Sequence, residues 1–189
     1  MASHPIQPPY LWFDLQPGGD RHLKYDLCSG GDANEAYWQQ GVENWDAAIA
    51  GWVFDPAACG SFPSQITLAW ESPPVECSSA TAKACWQPLT YYDSGNGYWQ
   101  LRLARILFDR DLYPAYNPSW RTSIAAHEWG HNLSLDDHQV ARCSPGLNTL
   151  MGFSPEPPPA GNACLEGPSP PDLSSSRCNA YTLWRLQRR

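Results

Sequence analysis

The chain has 189 residues, 42% of them hydrophobic, which suits one domain with a real core; no run approaches the ~18 consecutive apolar residues a membrane span needs. Twelve Lys and Arg against nineteen Asp and Glu give a formal net charge of −7, which excludes the basic footprint of a nucleic-acid binder. Nineteen prolines, about twice the usual share of ~5%, indicate a loop-rich globular protein.

Residues 1–20 read as an irregular lead-in rich in Pro and Gly. His22 to Cys28 alternates through Leu23, Tyr25 and Leu27, the pattern of a half-buried strand. Asp32, three residues before Glu35, resembles a capping box. Behind it Tyr37, Gly41, Trp45, Ala48, Ile49 and Trp52 recur at spacings of three and four, predicting a helix with one buried stripe. Ile66 to Trp70 reads as a strand. Residues 71–97 read mostly as turns, with Pro73-Pro74 and Asp93-Ser94-Gly95-Asn96-Gly97 as breakers. Tyr98 to Phe108 predicts one or two strands. Asn117-Pro118-Ser119 opens a second helix, with Ser119 as its N-cap, running through Ile124 to about Leu133. From 144 onward the prolines at 155, 157–159, 168, 170 and 171 forbid regular structure over most of the chain, and a short last helix covers Asn179 to Leu186.

The seven cysteines contain no Cys-x-x-Cys pair, which argues against a zinc ribbon or a thioredoxin-type redox site. Disulfides in an oxidising, extracytoplasmic compartment are the better reading. Cys77–Cys85 and Cys143–Cys178 are the expected pairs, Cys28–Cys59 a further one, and Cys164 the leftover thiol, although sequence leaves other connectivities open. The opening MASHPIQPP carries no basic segment followed by an apolar one, so secretion implies a signal peptide already removed.

His127-Glu128-Trp129-Gly130-His131 is an H-E-x-x-H motif on the second predicted helix. Positions i and i+4 lie about 40° apart around a helix axis, one turn up, so both imidazoles can address one zinc ion. Glu128 follows the first ligand and can serve as general base without binding the metal. With five His in the chain the pattern would arise by accident roughly once in 200 such sequences, so chemistry outweighs chance. A catalytic zinc takes three protein ligands and leaves a fourth position open. The third should come from beyond the helix.

The stretch HEWGHNLSLDD resembles the metzincin metallopeptidases, whose pattern is H-E-x-x-H-x-x-G-x-x-[HD] followed by a methionine-containing turn. Asp137 fills the last place, so the resemblance implies it as the third ligand, with His138 as rival, since imidazole is an equally good zinc ligand, and Asp136 behind it. Met151 in Thr149-Leu150-Met151-Gly152 stands where that turn belongs. An Asp there is the mark of the snapalysin family, small secreted neutral proteases. Asp137-His138, Cys143 and Cys178-Asn179-Ala180-Tyr181 agree with it. The resemblance covers about residues 98–186 and is strongest over 121–152. One departure is Ser134, where the family has the Gly that lets the chain turn after the helix.

The resemblance implies an α+β fold: a small mixed twisted sheet, two long helices, a loop-rich C-terminal subdomain and a short terminal helix. It implies a single catalytic domain over 1–189, with an upper subdomain over about 21–134 and a lower one over about 135–189. The expected activity is that of a secreted, monomeric zinc endopeptidase acting on proteins or peptides through a zinc-activated water, with Glu128 as base. Tyr181 would support the tetrahedral intermediate or line a pocket. An aromatic residue just after the cut is the implied preference. Metzincins lay the peptide as an extra antiparallel strand on a sheet edge, and Tyr98 to Arg105 is the candidate edge. Many also hold calcium, for which Asp109 and Asp111 offer too few carboxylates to define a site. The alternative is an inert metzincin-like binding module using exposed aromatics, although most of the ten Trp read as core. Asn132-Leu133-Ser134 is a glycosylation sequon on the catalytic helix, where a glycan would block the site.

Overall fold

In a computed structural model, residues 10–12, 22–27, 33–49, 54–57, 64–71, 77 and 82–135 are described. They form six strands and two helices: β1 (Tyr10–Trp12), β2 (Leu23–Asp26), α1 (Glu35–Ile49), β3 (Phe54–Ala57), β4 (Ile66–Glu71), β5 (Ala84–Asp93), β6 (Trp99–Asp109) and α2 (Pro118–His131). The architecture is mixed α/β with a mostly parallel sheet, compatible with the expected α+β class. Among the described residues no helix is long and apolar enough to cross a membrane.

β6 is the hub of the sheet. β5 runs antiparallel to it from Ala84 opposite Phe108 to Asp93 opposite Trp99. β4 pairs parallel with Ala104 to Asp109, and β1 pairs parallel with Trp99 to Leu101. Because those β6 residues also pair with β5, β1 and β4 share the other long side of β6. β2 and then β3 continue the sheet in parallel beyond β4. Leu23, Tyr25, Ile66, Leu68, Ala104, Ile106 and Phe108 turn one face toward both helices. There the indole of Trp38 stacks on Phe108 at 4.3 Å, and Trp129 meets Tyr25 and Phe54 edge-on at 5.1 and 5.2 Å.

Three expectations change. Residues 71–97 are not mostly turns, since they hold the ten-residue β5. Pro88 hides that strand, because a proline cannot donate to a ladder and breaks a strand reading. Its chain position resolves the conflict: among the described residues β5 pairs only with β6, and the register shifts on both sides of Thr90. Pro56 lies in β3, at the other end of the sheet, for the same reason. Second, the irregular lead-in contributes β1. Third, Tyr98 to Arg105 is no edge, because β6 is paired with β5 on one side and with β1 and β4 on the other; among the described residues the edge on that side is β5. The hairpin between them turns at Gly95 and Gly97, both at positive φ. Cys77 and Cys85 are joined, as expected, at the start of β5.

On α1 the buried stripe is Trp38, Gly41, Val42 and Trp45, with Tyr37 half-buried at its flank. The expected cap Asp32, Trp52, the terminal helix over Asn179 to Leu186, and Cys28, Cys59, Cys143, Cys164 and Cys178 lie outside the described residues. Of the ten Trp, Trp12, Trp38, Trp45 and Trp129 have no exposed surface, which places them in the core.

Candidate metal centre

α2 begins at Asn117, not at Ser119. The Asn117 side chain accepts from the backbone N–H of Trp120 at 3.1 Å, and Pro118 occupies the first helical position, where its missing N–H costs nothing. From Ser123 to Gly130 the helix is buried on all sides. The crossing with α1 is close: a Cβ on Gly41 would lie 2.9 Å from the Ala126 backbone nitrogen, so only glycine lets the axes approach. Trp45 Nε1 donates to the Ala126 carbonyl at 2.6 Å, and Trp129 Nε1 donates to the Trp38 carbonyl at 3.1 Å. α1 therefore fixes both the depth and the rotation of the helix that carries the H-E-x-x-H motif.

The two imidazoles come together as the spacing requires. His127 and His131 have ring centroids 4.9 Å apart with perpendicular planes. Glu128 is 6% exposed, and its Oε2 lies 4.0 Å from His131 Nε2. His131 Nδ1 is 2.8 Å from the Leu135 carbonyl oxygen. A carbonyl can only accept, so Nδ1 is the nitrogen that carries a proton in this contact, and in the neutral ring the lone pair is then on Nε2, the atom facing Glu128. Both rings belong to the last turns of α2, where the carbonyl ends of the helix dipole favour a cation.

Past His131 the helix ends in a Schellman arrangement. Ser134 N donates to His131 O at 3.0 Å, and Leu135 N donates to Gly130 O at 3.4 Å. Ser134 takes the left-handed conformation, φ 60°, the position glycine usually fills. For a serine that conformation costs about 1–2 kcal/mol. The turn is held from outside. Ser134 Oγ donates to the Tyr10 carbonyl, Trp12 Nε1 donates to the Asn132 carbonyl at 2.8 Å, and Trp86 Nε1 donates to Asn132 Oδ1 at 2.9 Å. The Trp86 ring lies 5.9 Å from that of His131. Asn132 is 1% exposed, so the sequon is closed to a glycan in the folded chain.

Two imidazoles on successive turns, one with its outer nitrogen engaged by a carbonyl, form a donor set that fits zinc. Among the described residues no group of three or more His, Cys, Asp or Glu is arranged to hold a metal. Asp137, His138, Met151 and Tyr181 lie outside the described residues. Asp109, named with Asp111 for calcium, caps the turn that follows β6, since its Oδ1 accepts from the N–H groups of Asp111 and Leu112 at 2.8 and 2.7 Å. Trp12, Trp86 and Asn132 carry no periodic or motif signal for their part in the site. Only the fold brings them to it. No family model and no curated protein matches the sequence.

Proposed function

We propose that this protein is a secreted zinc-dependent endopeptidase of the metzincin type, similar to the snapalysins. The observation that carries the reading is the His127–His131 pair beside Glu128, with His131 Nδ1 engaged by Leu135 O so that Nε2 is the available donor atom. His127, His131 and Asp137 would hold the metal, with His138 as rival to Asp137. Zinc, when bound, supplies Lewis acidity that lowers the pKa of water toward ~7 and polarises the scissile carbonyl.

Glu128 takes the proton of the attacking water and passes it to the departing amine nitrogen. Burial at 6% exposure keeps bulk water from competing for that carboxylate. Met151 would form the turn beneath the metal, and Tyr181 would support the tetrahedral intermediate or line a pocket. Among the described residues β5 is the edge on which a peptide would add as an antiparallel strand, because its first half borders the site through Trp86. The Cys77–Cys85 disulfide supports an oxidising compartment.

The alternative, an inert binding module on the same frame, draws on Tyr91 and Tyr92, exposed at 44% and 40% near the end of β5. Zinc content per chain and casein cleavage with and without a chelator separate the two. One zinc and chelator-sensitive cleavage support the peptidase. A full zinc complement with no cleavage of any unstructured substrate supports the binding module.

A further inference from the structure

β1 supplies no candidate ligand, yet two of its three residues are bonded to the turn that follows the second histidine. The Tyr10 carbonyl accepts from Ser134 Oγ, and Trp12 Nε1 donates to the Asn132 carbonyl. These bonds grip the turn on both sides of Leu133. β1 is anchored in its own right by its parallel register with β6, Tyr10 opposite Trp99 and Trp12 opposite Leu101. The Ser134 side chain is wholly buried, so water offers no substitute for the Tyr10 carbonyl.

What the turn presents is the Leu135 carbonyl, the acceptor for His131 Nδ1. Any rotation of the backbone at Ser134 moves that oxygen and swings the imidazole with it. At φ 60° a glycine would be conformationally easier than the serine present. A backbone-only requirement would therefore favour glycine, and the hydroxyl contributes something glycine lacks, the link to β1.

We infer that Ser134 is a positioning residue: its hydroxyl, bonded to β1, holds the turn that aims His131 Nε2, so that the lead-in strand sets metal affinity without contributing a ligand. The inference rests on the reading of His127 and His131 as metal ligands. Ser134→Gly relieves the left-handed backbone while cutting the link. Trp12→Phe cuts the second link and leaves Ser134 in place.

The test uses the full chain freed of metal, as wild type, Ser134→Gly and Trp12→Phe. Each is titrated with Zn²⁺ against a chromophoric chelator and with Co²⁺ by its visible absorption, and each metal-free protein is melted. Ser134→Gly is expected to melt close to wild type but to bind Zn²⁺ about 10-fold more weakly with an altered Co²⁺ spectrum, at the low end of the 10–100-fold losses seen for outer-shell partners. Trp12→Phe is expected to bind more weakly as well, and it decides the question if Ser134→Gly does not fold. Wild-type affinity and an unchanged Co²⁺ spectrum in the folded variants would overturn the inference and leave the metal reading standing. A wild-type chain that binds neither ion would overturn both.

Discussion

The Trp45 indole donates its N–H to the carbonyl oxygen of Ala126, 2.6 Å away and one residue before the first candidate ligand. One turn earlier on α1, Gly41 faces the Ala126 backbone nitrogen. Removing the Trp45 bond while keeping an aromatic ring, as in Trp45→Phe, should lower stability by about 1 kcal/mol, the net worth of one such bond, read from urea unfolding.

Gly41→Ala sets two effects against each other. Alanine gains about 1 kcal/mol of helix propensity. Its Cβ would meet backbone atoms at 2.9 and 3.1 Å, and backbone yields poorly, so overpacking of about 1–3 kcal/mol opposes the gain. The expected outcome is net destabilisation, with weaker zinc binding because α2 is displaced just ahead of His127. An unfolding midpoint above wild type would show that the helices separate without penalty.

Glu128→Ala should retain zinc and lose peptide hydrolysis by several orders of magnitude, since the proton carrier goes while the donor atoms stay. Metal content and turnover of a casein substrate on one preparation check it. Retained turnover would remove Glu128 from the role of base.

Asp137→Ala should lose zinc affinity, while His138→Ala should not. Equilibrium dialysis against Zn²⁺ distinguishes them, and the reverse result would exchange the third-ligand assignment.

Burial pushes the Tyr25 hydroxyl up to about 12, with Asp46, Glu43 and Asp55 adding to it. The unfolded chain releases that proton near the ordinary value of 10.0, whereas the folded chain keeps it longer. The stabilisation is therefore complete below pH 10.0 and is lost as pH rises through about 12. Burial moves Tyr113 in the same direction. Tyr25→Phe should show a shallower fall in melting temperature across that alkaline range, and a fall as steep as wild type would exclude Tyr25 from it.

Where residues carried a local signal, the sequence was legible. Leu23 and Tyr25 alternate because one face of β2 is buried, and Gly41 and Trp45 recur at helical spacing because they face α2, whereas Trp38, which the spacing did not single out, is buried in place of the half-buried Tyr37. The adjacency of His127 and His131 follows from helix geometry alone, and Ser134, which departs from the family's Gly, keeps the left-handed turn that a Gly would make, at φ 60°. β5 was not legible, because Pro88 opposes a strand unless the strand lies at an edge, and edge position is a property of the whole sheet. β1 was hidden for a related reason: three residues carry no period, and their pairing partner is 89 positions away at Trp99.

Composition, spacing and helix geometry thus settled the two-imidazole motif and the helices that bury it, because those features depend on neighbours a few residues apart. The edge strand beside the site, the β1 links to Ser134 and Asn132, and the indole bond from Trp45 depend on partners 46 to 124 positions away. Their energies exist only once the sheet has closed, so no local pattern in the chain can announce them.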